Sequence, residues 1–292
     1  MESDKKPFIL FSLILPCFTL RGSQMNMKNR DTTKSKGPPK SREELVNRLK
    51  ELKDEGWIQT RQQFNDGLVG NTLEDFLGID ENNLTLPDAG KFELKAQRME
   101  TGSLTTLFHF DPYPRRPKSV VTHTLGPIYG WPHETCKGEW SFRVTMYGNR
   151  YTNRGFKIVL DAKQGKLLVE FNPNQVDPSK KDWLSIVLRK GGRKIDPQPY
   201  WRLDHLKEKA QRKIANTIYI HAQSRKRKKF EEFKYDEAML YEGLDFDRFQ
   251  KGLVNGEVFV DFDARTTHNH GTKFRIRQGT LENFFARRER IF

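Results

Sequence analysis

The chain has 292 residues, 35% hydrophobic and 31% charged, which gives room for one large domain or two small ones around a sizeable core. Its formal net charge of +14 points to a polyanionic partner, nucleic acid first and an anionic membrane surface second. Two cysteines, Cys17 and Cys136, exclude a disulfide scaffold and suit a reduced, cytoplasmic protein.

Lys5-Lys6 precedes an apolar run, Pro7 to Leu20, that resembles a signal-peptide core. The run is too short to span a bilayer, Pro16 interrupts it, and no small-x-small cleavage site follows. Met25 and Met27 come directly afterwards, so the expected start of translation is one of these two. Residues 27–40 are polar and basic with Gly37-Pro38-Pro39, and complete an expected disordered leader over 1–40. Lys5, Lys6 and Arg21 against Glu2 and Asp4 leave +13 of the charge beyond residue 26, on a body expected to fold over 41–292.

Ser41-x-x-Glu44 is a capping box that opens a helix, with Leu45, Leu49 and Leu52 at helical spacing and Gly56 as the stop. Trp57–Thr60 reads as a short strand. The turn Gly67–Gly70 leads into a short helix over Thr72–Leu77 that carries Glu74 and turns Leu73, Phe76 and Leu77 to the core. Lys91 to Gln97 is a strand, followed by strands at 104–110, 141–146, 156–160, 166–171 and 184–189. A helix over 203–214 and a strand over 216–222 come next, and Arg225–Lys229 reads as a basic loop or hairpin tip. Strands at 257–262 and 273–277 and a closing helix over Thr280–Arg288 complete a mixed α+β order.

The informative stretch is Leu86-Pro87-Asp88-Ala89-Gly90-Lys91-Phe92-Glu93-Leu94-Lys95. Alternation on a strand turns Phe92 and Leu94 to one face and Glu93 and Lys95 to the other. A turn between Pro87 and Gly90 can bring Asp88 beside Glu93. Two close carboxylates repel unless a cation sits between them. Mg2+ suits such a pair, because it prefers few carboxylates together with water and phosphate oxygens. The pattern therefore fits metal-assisted phosphate hydrolysis, with Lys95 orienting a water or neutralising developing charge. As a bare pattern it also fits a solvated strand face with an ion pair.

Context decides between these. Gly56-Trp57, Gly67 with Gly70, Thr72-Leu73-Glu74-Asp75, Leu86-Pro87-Asp88, Phe92-Glu93-Leu94-Lys95 and Ser103–Phe108 occur in one order. Val260-Asp261-Phe262-Asp263-Ala264-Arg265 and Thr267–Thr272 with Phe274-Arg275-Ile276 close the chain. Together they resemble the MvaI/BcnI restriction endonucleases, relatives of the mismatch-repair nickase MutH, from about Ser41 to the C-terminus. The resemblance implies a PD-(D/E)XK restriction-endonuclease-like fold, a mixed sheet with a DNA-binding cleft between a catalytic lobe (mainly 41–125) and recognition elements (mainly 200–292). It implies Mg2+ and double-stranded DNA, Asp88, Glu93 and Lys95 in the catalytic places, with Asp88 and Glu93 as metal ligands, and Glu74 as an accessory carboxylate. It further implies a monomer that nicks each strand in turn at a CCNGG-like site, beside a cognate DNA methyltransferase. Base contacts are expected from the C-terminal segment: Asp261, Asp263, Arg265, His268, His270 and Arg275, a strand, a turn at Gly271 and a second strand, with His109 a further candidate. The alternatives are a MutH-like repair nickase and a catalytically silent basic DNA-binding protein.

Other signals carry less. His268-Asn269-His270 spells HNH, but in HNH nucleases those letters are spread over a ββα unit, and as zinc ligands the histidines lack a cysteine pair nearby. Gly191-Gly192 lacks the Lys-Ser/Thr of a phosphate loop. Arg225–Lys229 suits non-specific phosphate contacts.

Overall fold

The computed structural model describes residues 37–61, 67–79, 83–86, 90–99, 102–266 and 268–292. Residues 1–36 of the leader expected over 1–40, its start codon and Asp88 lie outside the described residues. In chain order the elements are α1 (Arg42–Glu55), β1 (Trp57–Gln59), α2 (Leu68–Leu77), β2 (Asn83–Leu86), β3 (Gly90–Arg98) and β4 (Thr105–His109). After a π-helical turn at Val121–Leu125 come α3 (Gly126–Tyr129), β5 (Trp131–Pro132), β6 (Trp140–Met146), β7 (Arg154–Asp161) and β8 (Lys166–Val176). Then follow α4 (Lys181–Arg189), β9 (Tyr200–Arg202), α5 (Leu203–Ile214), β10 (Asn216–Arg227) and β11 (Phe230–Leu244). The chain closes with α6 (Phe246–Asn255), β12 (Val258–Arg265), β13 (His268–Ile276) and β14 (Phe285–Arg290).

The first sheet runs β1-β11-β10-β3-β2, with β14 also on β11. Only the β10–β3 pair in it is parallel. One face carries Phe92, Leu94, Ile218, Ile220, Ala238 and Leu240 and packs against Leu45, Leu49 and Leu52 of α1 and Leu73 and Leu77 of α2. The α1 stripe is the expected one. Ser41 caps it by accepting from Glu44 N at 3.0 Å, while Glu44 takes Lys40 N at 2.8 Å, so the reciprocal bond of the box falls one residue early.

The second sheet runs β4-β13-β12-β6-β5, and the third is β7-β8-β9. Both bury one face in a second, aromatic-rich core that includes Phe142, Phe156, Trp201, Phe262 and Phe274. The two larger sheets are interleaved along the chain. β10, β11 and β14 complete the sheet that β3 begins, because a lone hairpin of β2 and β3 could not cover its own edges.

Three expectations change. The strand expected at 184–189 is part of α4, where Trp183 and Val187, one helical turn apart, both reach the core. The closing helix expected over 280–288 is a 3-10 turn at Leu281–Phe284 followed by β14. Leu281, Phe284 and Phe285 are buried there, and β11 offers Leu244, Tyr241 and Met239 as pairing positions. Gly271 is not the turn between the last two long strands. It lies inside β13 at φ +85°, a conformation glycine adopts without the penalty a Cβ brings.

Candidate functional site

β3 delivers the expected alternation. Phe92 and Leu94 are buried in the helix-covered core, and Glu93 and Lys95 point to the opposite face. The parallel register sets Thr217 of β10 beside Glu93 and Tyr219 beside Lys95. Glu93 is only 5% exposed, and a buried carboxylate requires a partner. Lys95 supplies one, with Nζ 2.5 Å from Oε1. Glu74 reaches the same place from α2, which Gly78 ends in the left-handed conformation. Burial raises the pKa of Glu74 most, the charges of Asp75 and Glu93 raise it further, and Lys95 opposes them. Glu74, Lys95, Gln97 and Arg275 line one cleft of about 440 Å3. The site thus holds more carboxylate than ammonium, all hard oxygen donors of the kind a divalent cation accepts. Among the described residues no three His, Cys, Asp or Glu side chains form a metal cluster by themselves.

Gln97, two residues beyond Lys95 on the same face, was not singled out in the sequence. Its Oε1 accepts from the hydroxyls of Thr105 and Tyr219, and its Nε2 donates to Ser103 O at 2.7 Å. Burial pushes the Tyr219 phenol up to about 12, so it stays a donor. This network ties β3 to β4 and thereby joins the first sheet to the second. Gln97→Ala would remove the acceptor that both hydroxyls share and leave them only their 2.8 Å contact with each other. It is expected to lower stability by about 1–3 kcal/mol in urea unfolding, and an unchanged midpoint would remove the network from the account.

The second sheet has one apolar face and one charged face. Val260, Phe262 and Ala264 of β12 are buried, while Asp261, Asp263 and Arg265 point the other way. Asp261 pairs with Arg275 of β13 at 2.9 Å and accepts from Thr145 Oγ1 at 2.8 Å. Asp263 pairs with Arg143 of β6 at 2.9 Å and with Lys273 at 2.8 Å. Arg143, Thr145 and Lys273 belong to this face and were missed, because only the register of β6 and β13 on β12 brings them there. Arg275 also donates to Leu104 O at 2.6 Å and borders both this face and the cleft with Lys95.

The remaining candidates separate. Arg265 lies nearer the end of the hairpin, 3.5 Å from Glu139. His268 and His270 are exposed with their rings 4.2 Å apart, and burial lowers the pKa of His270. His109 ends β4 opposite Lys273. Its pKa is lowered by burial first, then by the charges of Lys273 and Lys95. Arg225–Lys229 does form a hairpin tip, between β10 and β11, with Lys228 at φ 55°. Arg225 lies 4.1 Å from the Trp57 ring and is paired with Glu232 at 2.6 Å, and Arg227 shares that carboxylate.

The MvaI/BcnI restriction endonuclease family pattern matches residues 46–285. Among solved structures, the restriction endonuclease MvaI in complex with its cognate DNA substrate is similar, at 26% identity and a TM-score of 0.67, over 85% of this chain and 97% of that one. MvaI in the absence of DNA matches at 26% identity and a TM-score of 0.48, over 85% of this chain and 98% of that one. No curated protein sequence matches.

Proposed function

The chain belongs to the MvaI/BcnI restriction endonuclease family, and on that premise we propose that it hydrolyses double-stranded DNA with Mg2+ at a short CC/GG site of the CCNGG type. It works as a monomer that cuts one strand at a time, in a cytoplasm where a cognate methyltransferase protects the host DNA. The observation that carries this reading is the buried Glu93–Lys95 pair, whose lysine lines a cleft together with Glu74 and Arg275.

Glu93 and Asp88 are the residues that would hold the cation. When bound, such an ion lowers the pKa of a water and polarises the scissile phosphate. Lys95 holds its ammonium against Glu93 and faces the cleft, where it can orient the attacking water or neutralise charge growing on the phosphoryl oxygens. The water oxygen forms the new bond to phosphorus, the bond to the leaving sugar oxygen breaks, and that oxygen takes up a proton. Glu74 borders the site from α2. The charged face of the second sheet reads bases: arginine forks suit the O6/N7 edge of guanine, and Asp261 or Asp263 can accept from the N4 group of cytosine. His109, His268 and His270 contact a groove edge or phosphates.

Digestion of a sequenced plasmid with purified protein and Mg2+, followed by mapping of the ends, tests this. Nicked circles should precede linear product, and every end should fall at a CC/GG core. Cleavage in excess EDTA would end the metal assignment. Ends outside a CC/GG core would end the site assignment, and synchronous double-strand breaks from a stable dimer would end the monomer assignment.

A further inference from the structure

The arginines beside the two clusters are mostly neutralised within the protein. Arg98 pairs with Glu231, Arg143 with Asp263, Arg225 with Glu232 and Arg275 with Asp261. One group of cations departs from this rule. Lys209 and Arg212 on α5, and Arg115 in the loop after β4, form no ion pair with any carboxylate among the described residues.

Their placement is built rather than loose. Phe110 carries Arg115 at 4.5 Å and Lys209 at 6.0 Å from its ring centre, and Tyr113 carries Arg115 at 4.4 Å. The Arg115 guanidinium donates to Asp111 O through Nε at 2.9 Å and also through Nη2. The Asp111 carboxylate accepts from Thr272 N at 2.7 Å and forms no ion pair with these three cations. Tyr113 is fixed in turn by a 3.0 Å hydrogen bond to His205 of α5. Burial lowers the pKa of Lys209 most, and the charges of Arg212, Lys213 and Arg115 lower it further, which is the signature of cations crowding one another. The group also lies near the cleft, because α5 packs against β3 and β4, the strands that carry Lys95 and His109. Crowded cations with no paired anion repel one another, and an external polyanion relieves that repulsion.

We propose that Arg115, Lys209 and Arg212 form a phosphate-binding wall of the DNA cleft, one that grips the duplex backbone without reading sequence. This rests on the DNA-cleaving reading given above. Each cation that contacts a phosphate releases condensed counterions, so binding weakens with salt in proportion to the contacts made.

The test compares wild type with Lys209→Gln, Arg212→Gln and the double variant on a short duplex lacking any CC/GG site and on a cognate duplex, in EDTA, over a series of KCl concentrations. The slope of log affinity against log salt should become shallower by about one for each cation removed. Cognate and non-cognate duplexes should lose affinity by the same factor. A double variant that keeps the wild-type slope overturns the proposal, and so does a loss confined to the cognate duplex. Lys209 packs on Phe110, so Arg212, which is exposed, decides alone if Lys209→Gln fails to fold. Wild-type protein without salt-dependent duplex binding would instead defeat the DNA-cleaving reading itself.

Discussion

Lys95→Ala protein should leave a cognate plasmid supercoiled under conditions in which wild type linearises it, a loss of at least about a hundredfold in cleavage rate. The ammonium sits 2.5 Å from a carboxylate that is almost completely buried, at the place where charge would develop on a bound phosphate. Glu93→Gln keeps the shape of the side chain but loses the negative charge, and should be as inactive. Both variants should still bind cognate duplex in EDTA, because the proposed phosphate and base contacts lie on the second sheet, α5 and the β10–β11 tip. Removing Lys95 also takes a partner from buried Glu93, so thermal unfolding should be recorded alongside cleavage. Robust cutting by Lys95→Ala at a melting temperature near wild type would sink the catalytic assignment.

Arg275→Ala should cost discrimination rather than general affinity. The guanidinium is held in place by Asp261 at 2.9 Å and Leu104 O at 2.6 Å, at the boundary between the charged sheet face and the cleft that Lys95 lines. A fork held this way can present its remaining donors to one guanine edge, and losing it should cost about 1–3 kcal/mol between a cognate site and a one-mismatch site. Arg275→Lys keeps the charge but not the planar fork, so it should lose nearly as much. Competition binding with matched and singly mismatched duplexes measures the ratio. An unchanged ratio with uniformly weaker binding would make Arg275 a phosphate contact and move base reading to Asp263, Arg265 or His109.

Alternation at Phe92, Glu93, Leu94 and Lys95 is a property of a few consecutive residues, so the burial of one pair and the meeting of the other were legible before any fold was known. The same holds for α1, whose cap, leucine spacing and terminal glycine are all local, and for the bounds of α5. The ordered motifs from Gly56 to Ile276 likewise carried the family.

Charged segments were less legible where their partners lie far off in sequence. β11 begins Phe-Glu-Glu and carries charge along its length, which in isolation looks solvated, yet Glu231 and Glu232 are buried, with Arg98 of β3 and Arg225 of the adjacent β10 neutralising them. β14 is mostly charged too, and pairs as a strand because β11 leaves an edge open to it. α4 reads as a strand from Leu184, Ile186 and Leu188, and is a helix because the core accepts Trp183 and Val187 together. Residue types and their periodicity therefore determined the strand that carries Glu93 and Lys95 and the first helix, while the ordered motifs carried the family. The partners of Asp261 and Asp263, the Gln97 network and the cation cluster around Phe110 were decided by tertiary structure. Each depends on strands or helices far apart in sequence coming into register, and register energy comes from the whole sheet and core rather than from any one segment.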